Sequence, residues 1–182
     1  EISTSRHLRI LDIGTGSGIQ ALEAAKKKSV KKVIAVDIQK EVIEHCKENI
    51  KNKLLNSKNS KGLENSKNFL KKIVFKQSDL FSDVKGKFDT IIFNPPYLPE
   101  DIKLKDLTID GGKKGYEVIE RFLNEVNGYL KSNGIVLIVF SSLTKPKVIN
   151  EIVKRNKLGY KLLEKTHIFF EDLFVYSVKK GL

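Results

Sequence analysis

Leu8-Arg9-Ile10-Leu11-Asp12-Ile13-Gly14-Thr15-Gly16-Ser17-Gly18 is a short apolar run that meets an acid and then breaks into glycine at every second position. The run reads as a buried strand. The alternate glycines permit a tight turn that a ligand can approach closely along the backbone. Ser17 to Lys27 then carries Ile19, Leu22 and Ala25 at helical spacing. The N–H groups at the start of that helix therefore point at whatever the turn holds. The GxGxG spacing differs from the GxGxxG of dinucleotide binders, where a pyrophosphate sits on the helix end. With Asp12 just before it and Thr15 inside it, the turn suits a ligand with an amino-acid head, whose ammonium Asp12 can meet.

Working outward, Val33 to Asp37 is a second apolar run ending on an acid, nineteen residues after Gly18. A carboxylate there can accept both hydroxyls of a ribose, and the lack of an adjacent basic residue argues against a 2′-phosphate. Ile38 follows it and belongs to the same candidate site. Lys40 to Lys51 places Val42, Ile43, Cys46 and Ile50 on one helical face, so Cys46 reads as core rather than nucleophile. A third strand through Ile73 to Phe75 ends at Ser78-Asp79-Leu80, where Asp79 and Leu80 can contact an adenine. Three acids at three successive strand ends line the carboxyl edge of a sheet, where open α/β folds bind ligands.

The rest of the chain keeps the alternation. Phe88 to Phe93 is a fourth strand, Tyr116 to Lys131 an amphipathic helix, Ile135 to Phe140 an apolar strand and Pro146 to Lys157 a helix. Tyr160 to Phe170 and Leu173 to Val178 lack an intervening helix and predict an antiparallel hairpin at one edge. The whole is an α/β chain with a mostly parallel sheet covered by helices on both faces. Asn52 to Asn68 reads as a long polar loop and Leu98 to Gly112 as irregular. Without repeats or a composition break, residues 1–182 are expected to form one domain. The chain has no methionine and begins at Glu1, so a missing N-terminal segment is expected.

The net charge is +12, carried almost wholly by lysine, with arginine only at positions 6, 9, 121 and 155. Nucleic-acid readers favour arginine for bidentate contacts, so the excess reads as a solvated lysine surface that would still favour a polyanionic assembly. No run approaches the roughly 18 apolar residues of a membrane span. No secretory leader is visible. A lone cysteine excludes an internal disulfide and fits a reducing cytoplasm. His7, His45 and His167 lack ligand spacing, and no metal is expected.

The fourth strand runs into Asn94-Pro95-Pro96-Tyr97. An amide or exocyclic amine nitrogen is planar and weakly nucleophilic because its lone pair is delocalised. The Asn94 side-chain oxygen and the Pro95 carbonyl can each accept an N–H from such a group, and Tyr97 can stack on it. Pro96 helps hold the loop rigid, which is preorganisation for in-line transfer.

Here the chain resembles the amino-methylating group of class I methyltransferases, whose (D/N/S)PP(Y/F/W) motif follows the fourth strand. The resemblance covers essentially the whole chain. It implies a Rossmann-like, seven-stranded sheet and S-adenosyl-L-methionine as cofactor, bound through Asp12, Gly14, Thr15, Gly16, Gly18, Asp37, Ile38, Asp79, Leu80 and Asn94. Asp110-Gly111-Gly112-Lys113-Lys114-Gly115 resembles the DGGxxG segment of HemK/PrmC-type enzymes, which methylate the glutamine of the Gly-Gly-Gln motif in class 1 release factors. Leu98-Pro99 after the tyrosine, and entry into the first core strand by Leu8, resemble their archaeal and eukaryotic branch. That branch implies a small zinc-binding activator protein as partner. An RNA or DNA base methyltransferase acting on adenine N6 stays open as the alternative. Such enzymes commonly add a basic, aromatic recognition insert, and here the polar insert has Phe69 only at its end.

Overall fold

The computed structural model describes residues 7–56, 68–99 and 109–181. Along them run β1 (Leu8–Ile13), α1 (Ile19–Lys26), β2 (Val30–Asp37), α2 (Lys40–Asn56), β3 (Ile73–Gln77) and β4 (Phe88–Phe93). There follow α3 (Glu117–Glu125), β5 (Leu130–Ser141), α4 (Pro146–Arg155), β6 (Leu158–Ile168) and β7 (Glu171–Lys180). The strands make one seven-stranded, mostly parallel sheet in the order β3-β2-β1-β4-β5-β7-β6, the α/β architecture the alternation predicts. Contacts divide the chain into two compact units, residues 1–88 and 89–182.

In the first unit β1 pairs parallel with β2, Ile13 opposite Val36, and β2 pairs parallel with β3, Asp37 opposite Gln77. The carboxyl ends of all three strands therefore lie level. Leu11, Val33, Ala35, Val36, Ala21 and Ala25 are fully buried and hold α1 on the strands. The first helix starts at Ile19 rather than Ser17, because the chain through Gly18 is spent on the turn.

The predicted polar loop 52–68 is corrected at both ends. Helix α2 continues to Asn56, and Asn68 opens a helical turn; 57–67 lie outside the described residues. Lysine and leucine are good helix formers, and Leu54 continues the sequence spacing of Ile43, Cys46 and Ile50, so the polar composition there is compatible with helix as well as with loop.

In the second unit β7 lies antiparallel between β5 and β6, with Ser141 opposite Leu173 and Ile168 opposite Glu171. The predicted terminal hairpin is present, and β6 is an edge strand whose register shifts between Leu162 and Glu164. Such a bulge, with Lys161, Glu164 and Lys165 around it, protects an edge from further pairing. The long helix predicted over 116–131 ends at Glu125, followed by a single 3₁₀ turn at Val126–Gly128, and β5 already begins at Leu130. Val126 and Leu130 are both fully buried, so the apolar spacing is the same while the backbone leaves the helix at Asn127-Gly128. The Asn127 side-chain amide donates to the Asn156 carbonyl at 2.8 Å, which ties that corner to the end of α4.

Candidate active site

The turn after β1 uses its three glycines differently. Gly14, Gly16 and Gly18 all have φ in the left-handed region, at 62°, 50° and 78°. Only glycine takes these routinely. Gly14 and Gly16 present exposed backbone, whereas Gly18 is buried. A Cβ on Gly18 would lie 3.3 Å from Cys46 Sγ and 3.5 Å from the Phe75 ring, so this glycine is required by packing. The Cys46 thiol donates to the Gly16 carbonyl at 3.2 Å. Burial first, then the nearby Asp37 and Asp12, raise its pKa, so it stays a neutral packing group, as its helical position predicts.

Asp12 and Asp37 are both buried beside this turn. Thr15 Oγ1 donates to Asp12 Oδ2 at 2.6 Å. The Asp12 carboxyl is pushed up to about 6, chiefly by burial and additionally by Asp37, against the lowering effect of the Thr15 hydroxyl and the Ala21 backbone. Asp37 accepts from Gly16 N at 3.0 Å through Oδ2 and from Gln39 N at 3.1 Å through Oδ1. Each carboxylate oxygen keeps acceptor capacity for a hydroxyl. Ile38, directly after Asp37, is 46% exposed, and Ile19, the first residue of α1, is 60% exposed. In the sequence Ile19 reads only as part of the helix's apolar spacing with Leu22 and Ala25; the structure leaves it exposed beside the turn instead.

Asp79 and Leu80 sit in a folded turn past β3. Asp79 N donates to Ser82 Oγ at 3.2 Å and Ser78 Oγ donates to the Leu80 carbonyl at 3.0 Å. Leu80 adopts φ 48° and is buried, while Asp79 is half-buried. Ser78 N donates to the Asp37 carbonyl at 2.9 Å, which links this turn directly to the end of β2. All the cofactor residues read from the sequence between Asp12 and Leu80 thus gather at one strand edge of the first unit.

In the second unit the loop leaving β4 presents Asn94 exposed, Pro95 buried, and Pro96 and Tyr97 half-buried. The Asp110–Gly115 segment is its support. Leu98 N donates to the Ile109 carbonyl and Gly111 N to the Leu98 carbonyl, both at 2.8 Å. A Cβ on Gly111 would fall 2.4 Å from the Gly115 carbonyl and 2.8 Å from the Pro96 carbonyl. One on Gly115, whose φ is 81°, would fall 2.9 Å from the Tyr97 carbonyl. Only bare backbone fits, so the glycine spacing in this segment is steric. Glu117 folds back to accept from Lys114 N and Tyr116 N and closes the turn. It is a supporting residue the sequence reading missed.

The Ser141 hydroxyl at the end of β5 hydrogen-bonds the Glu171 carboxylate at the start of β7. Partial burial, and secondarily the charge of Glu171, raise the pKa of the Tyr97 phenol, which keeps it protonated. No sequence signal links Tyr97 to Glu171; the pairing of β5 with β7 brings them together. Among the described residues no group of three or more His, Cys, Asp or Glu side chains could hold a metal ion. His167 pairs with Asp172 at 2.9 Å.

A methyltransferase small domain model matches residues 1–165. The chain is 41% identical over 175 residues to a Methanocaldococcus jannaschii protein provisionally named a protein N5-glutamine methyltransferase, covering 92% of this chain and 79% of that one. It is 31% identical over 138 residues to the release factor glutamine methyltransferase of Streptococcus pneumoniae, covering 70% of this chain but 44% of that protein. The chain thus spans less than half of that bacterial relative. Among solved structures, the Mtq2–Trm112 complex of E. cuniculi, described as responsible for methylation of the eRF1 translation termination factor, superposes with TM-score 0.69 at 21% identity. That match covers 97% of this chain and 87% of the other, and it shows a shared fold. A Pyrococcus furiosus methyltransferase superposes with TM-score 0.68 at 25% identity, covering 97% of this chain and 76% of the other.

Proposed function

Because the chain belongs to the methyltransferase small domain family, we propose that it transfers a methyl group from S-adenosyl-L-methionine to a glutamine side-chain amide in the Gly-Gly-Gln motif of a class 1 translation release factor. The observation that carries the reading is the Asn94-Pro95-Pro96-Tyr97 loop on its glycine support, in a chain 41% identical to a relative named for glutamine N5 methylation. Residues 1–182 act as one methyltransferase domain, and the reading places it in the cytoplasm with the translation machinery.

The residues of the first unit fit the cofactor. The left-handed glycines leave backbone open, Asp37 retains lone pairs for ribose hydroxyls, and the buried Asp12 carboxyl gains from a cationic group. Asp79 and Leu80 receive the adenine, with Ile38 packing on its face. When bound, S-adenosyl-L-methionine supplies an electrophilic methyl on a sulfonium. Asn94 Oδ1 and the Pro95 carbonyl each accept one N–H of the acceptor amide. That orients the nitrogen and stabilises the positive charge that grows on it. Tyr97, held neutral, stacks on the planar amide. The proton leaves to water once transfer has made the nitrogen acidic.

We further propose a small zinc-binding activator protein at β3. This is the other edge of the sheet, and unlike the bulged, charged β6 it is a short regular strand with Val74 exposed. Such an edge accepts strand addition. Size exclusion of the co-expressed pair tests it, and two separate peaks overturn it.

The acceptor is tested by offering tritiated cofactor with purified release factor, tRNA, rRNA and DNA in parallel. Mass spectrometry should find one added methyl on the Gly-Gly-Gln glutamine, and changing that glutamine to asparagine should remove it. Label on RNA or DNA alone transfers the case to a base methyltransferase.

A further inference from the structure

The turn between β6 and β7 carries the most exposed apolar side chains among the large hydrophobics described, Phe169 at 91% and Phe170 at 98%. Two adjacent phenylalanines in water cost solubility and mark an interaction site more often than chance exposure does. The backbone is bent to present them, with Phe169 at φ 46°, a conformation uncommon for a bulky residue. The turn is not adrift. Glu171, the next residue, is held by Ser141, and Asp172 N donates to Ser142 Oγ at 3.1 Å. Leu143, 48% exposed, follows Ser142 in the same 3₁₀ turn. The aromatic tip therefore stands beside the carboxyl end of β5, and Glu171 is also the charge felt by the Tyr97 phenol.

We propose that Phe169 and Phe170 are a second anchor for the acceptor protein, engaging its surface outside the methylated loop. The inference rests on the acceptor reading above, since Glu171 joins the tip to the loop assigned to the acceptor. Charge selects the occupant. Within 164–172, Glu164, Glu171 and Asp172 stand against Lys165, in a chain of net charge +12. Asp172 pairs with both Lys165 and His167, at 2.9 Å each. With Lys165 already paired to Asp172, Glu164 and Glu171 leave the tip acidic, and an acidic tip repels phosphate backbones and anionic lipid headgroups and accepts a polypeptide that offers apolar and basic groups. Phenylalanine is among the residues enriched at the buried cores of protein interfaces.

The test is the double variant Phe169→Asn, Phe170→Ser in the full chain. Asparagine tolerates the left-handed backbone at position 169, so the fold is preserved. Steady-state kinetics on intact release factor should show KM raised at least about tenfold with kcat unchanged. Calorimetric affinity for S-adenosylhomocysteine should stay at the parent value. Phe170→Ser alone should change KM in the same direction. An unchanged KM overturns the proposal. So does an unchanged KM accompanied by lost self-association or lost sedimentation with phosphatidylcholine vesicles, which gives the tip to a second copy or a membrane. If the unaltered chain methylates only nucleic acid, the acceptor reading falls and this anchor falls with it; if it methylates the glutamine and the variant does so equally well, the anchor alone falls.

Discussion

Asp12 and Asn94 carry opposite kinds of risk. Asp12 is buried with its carboxyl pushed up to about 6 from 3.8. A folded-state value above the unfolded one means that its contribution to stability is full below 3.8 and is lost as pH rises through about 6. Ionised at neutral pH, it weakens the cofactor-free fold by up to about 3 kcal/mol. Asp12→Asn should therefore raise the thermal midpoint of the cofactor-free chain near pH 7.5, show little gain near pH 4, and bind S-adenosylhomocysteine more weakly. Parent affinity for that ligand should climb between about pH 5 and 7 and then level off. Equal melting curves for parent and variant across this range would remove the assigned strain. Asn94 is exposed, so its replacement leaves the fold alone. Asn94→Ala should lower kcat about 100-fold and leave cofactor affinity near the parent value. Turnover at the parent rate would mean the amide is oriented by something else.

Among elements, the Asp110–Gly115 segment is the informative one. Gly115→Ala places a methyl 2.9 Å from the Tyr97 carbonyl in a backbone conformation alanine disfavours. It should displace the Asn94–Tyr97 loop and lower kcat at least about tenfold, while calorimetry shows an unaltered cofactor site. Loss of cofactor binding in that variant would mean a general collapse and not a misplaced loop. The motif glycines were legible in the sequence because their spacing is the signal. Their reason was not, since the clash is with Pro96 and Tyr97 carbonyls that are distant in the chain. The strands and their order of appearance were legible from apolar runs, which strand burial demands. The end of α3 was not, because Val126 and Leu130 are buried at the same spacing whether the chain continues as helix or turns into β5. The extent of α2 was hidden by composition, since a polar helix face and a polar loop use the same residues. Glu117 and Glu171 look like ordinary surface acids until tertiary contacts give them partners.

At the scale of the whole molecule, ligand binding and folding share one equilibrium. A ligand held at about a hundred times its Kd stabilises the native state by about 2.7 kcal/mol. For a chain of 182 residues that corresponds to a rise of roughly 5–11 °C in Tm. S-adenosylhomocysteine should produce that rise in a melting experiment, and no rise at saturating ligand would refute the cofactor assignment. No helix among the described residues is long and apolar enough to cross a membrane.

The aromatic turn has a kinetic consequence. The β6–β7 pairing is the most local in the sheet, closed by a two-residue connection, whereas β1–β2 and β2–β3 need crossovers through a helix. Local hairpins close in microseconds when the turn residues suit them, and a turn with left-handed φ at Phe169 but not at Phe170 suits glycine first, as in Gly-Asn, far better than Phe-Phe. The chain thus places poor turn formers where its fastest pairing could nucleate. Exchanging Phe169-Phe170 for Gly-Asn should speed refolding in stopped-flow measurements, to the extent that the hairpin is formed in the folding transition state.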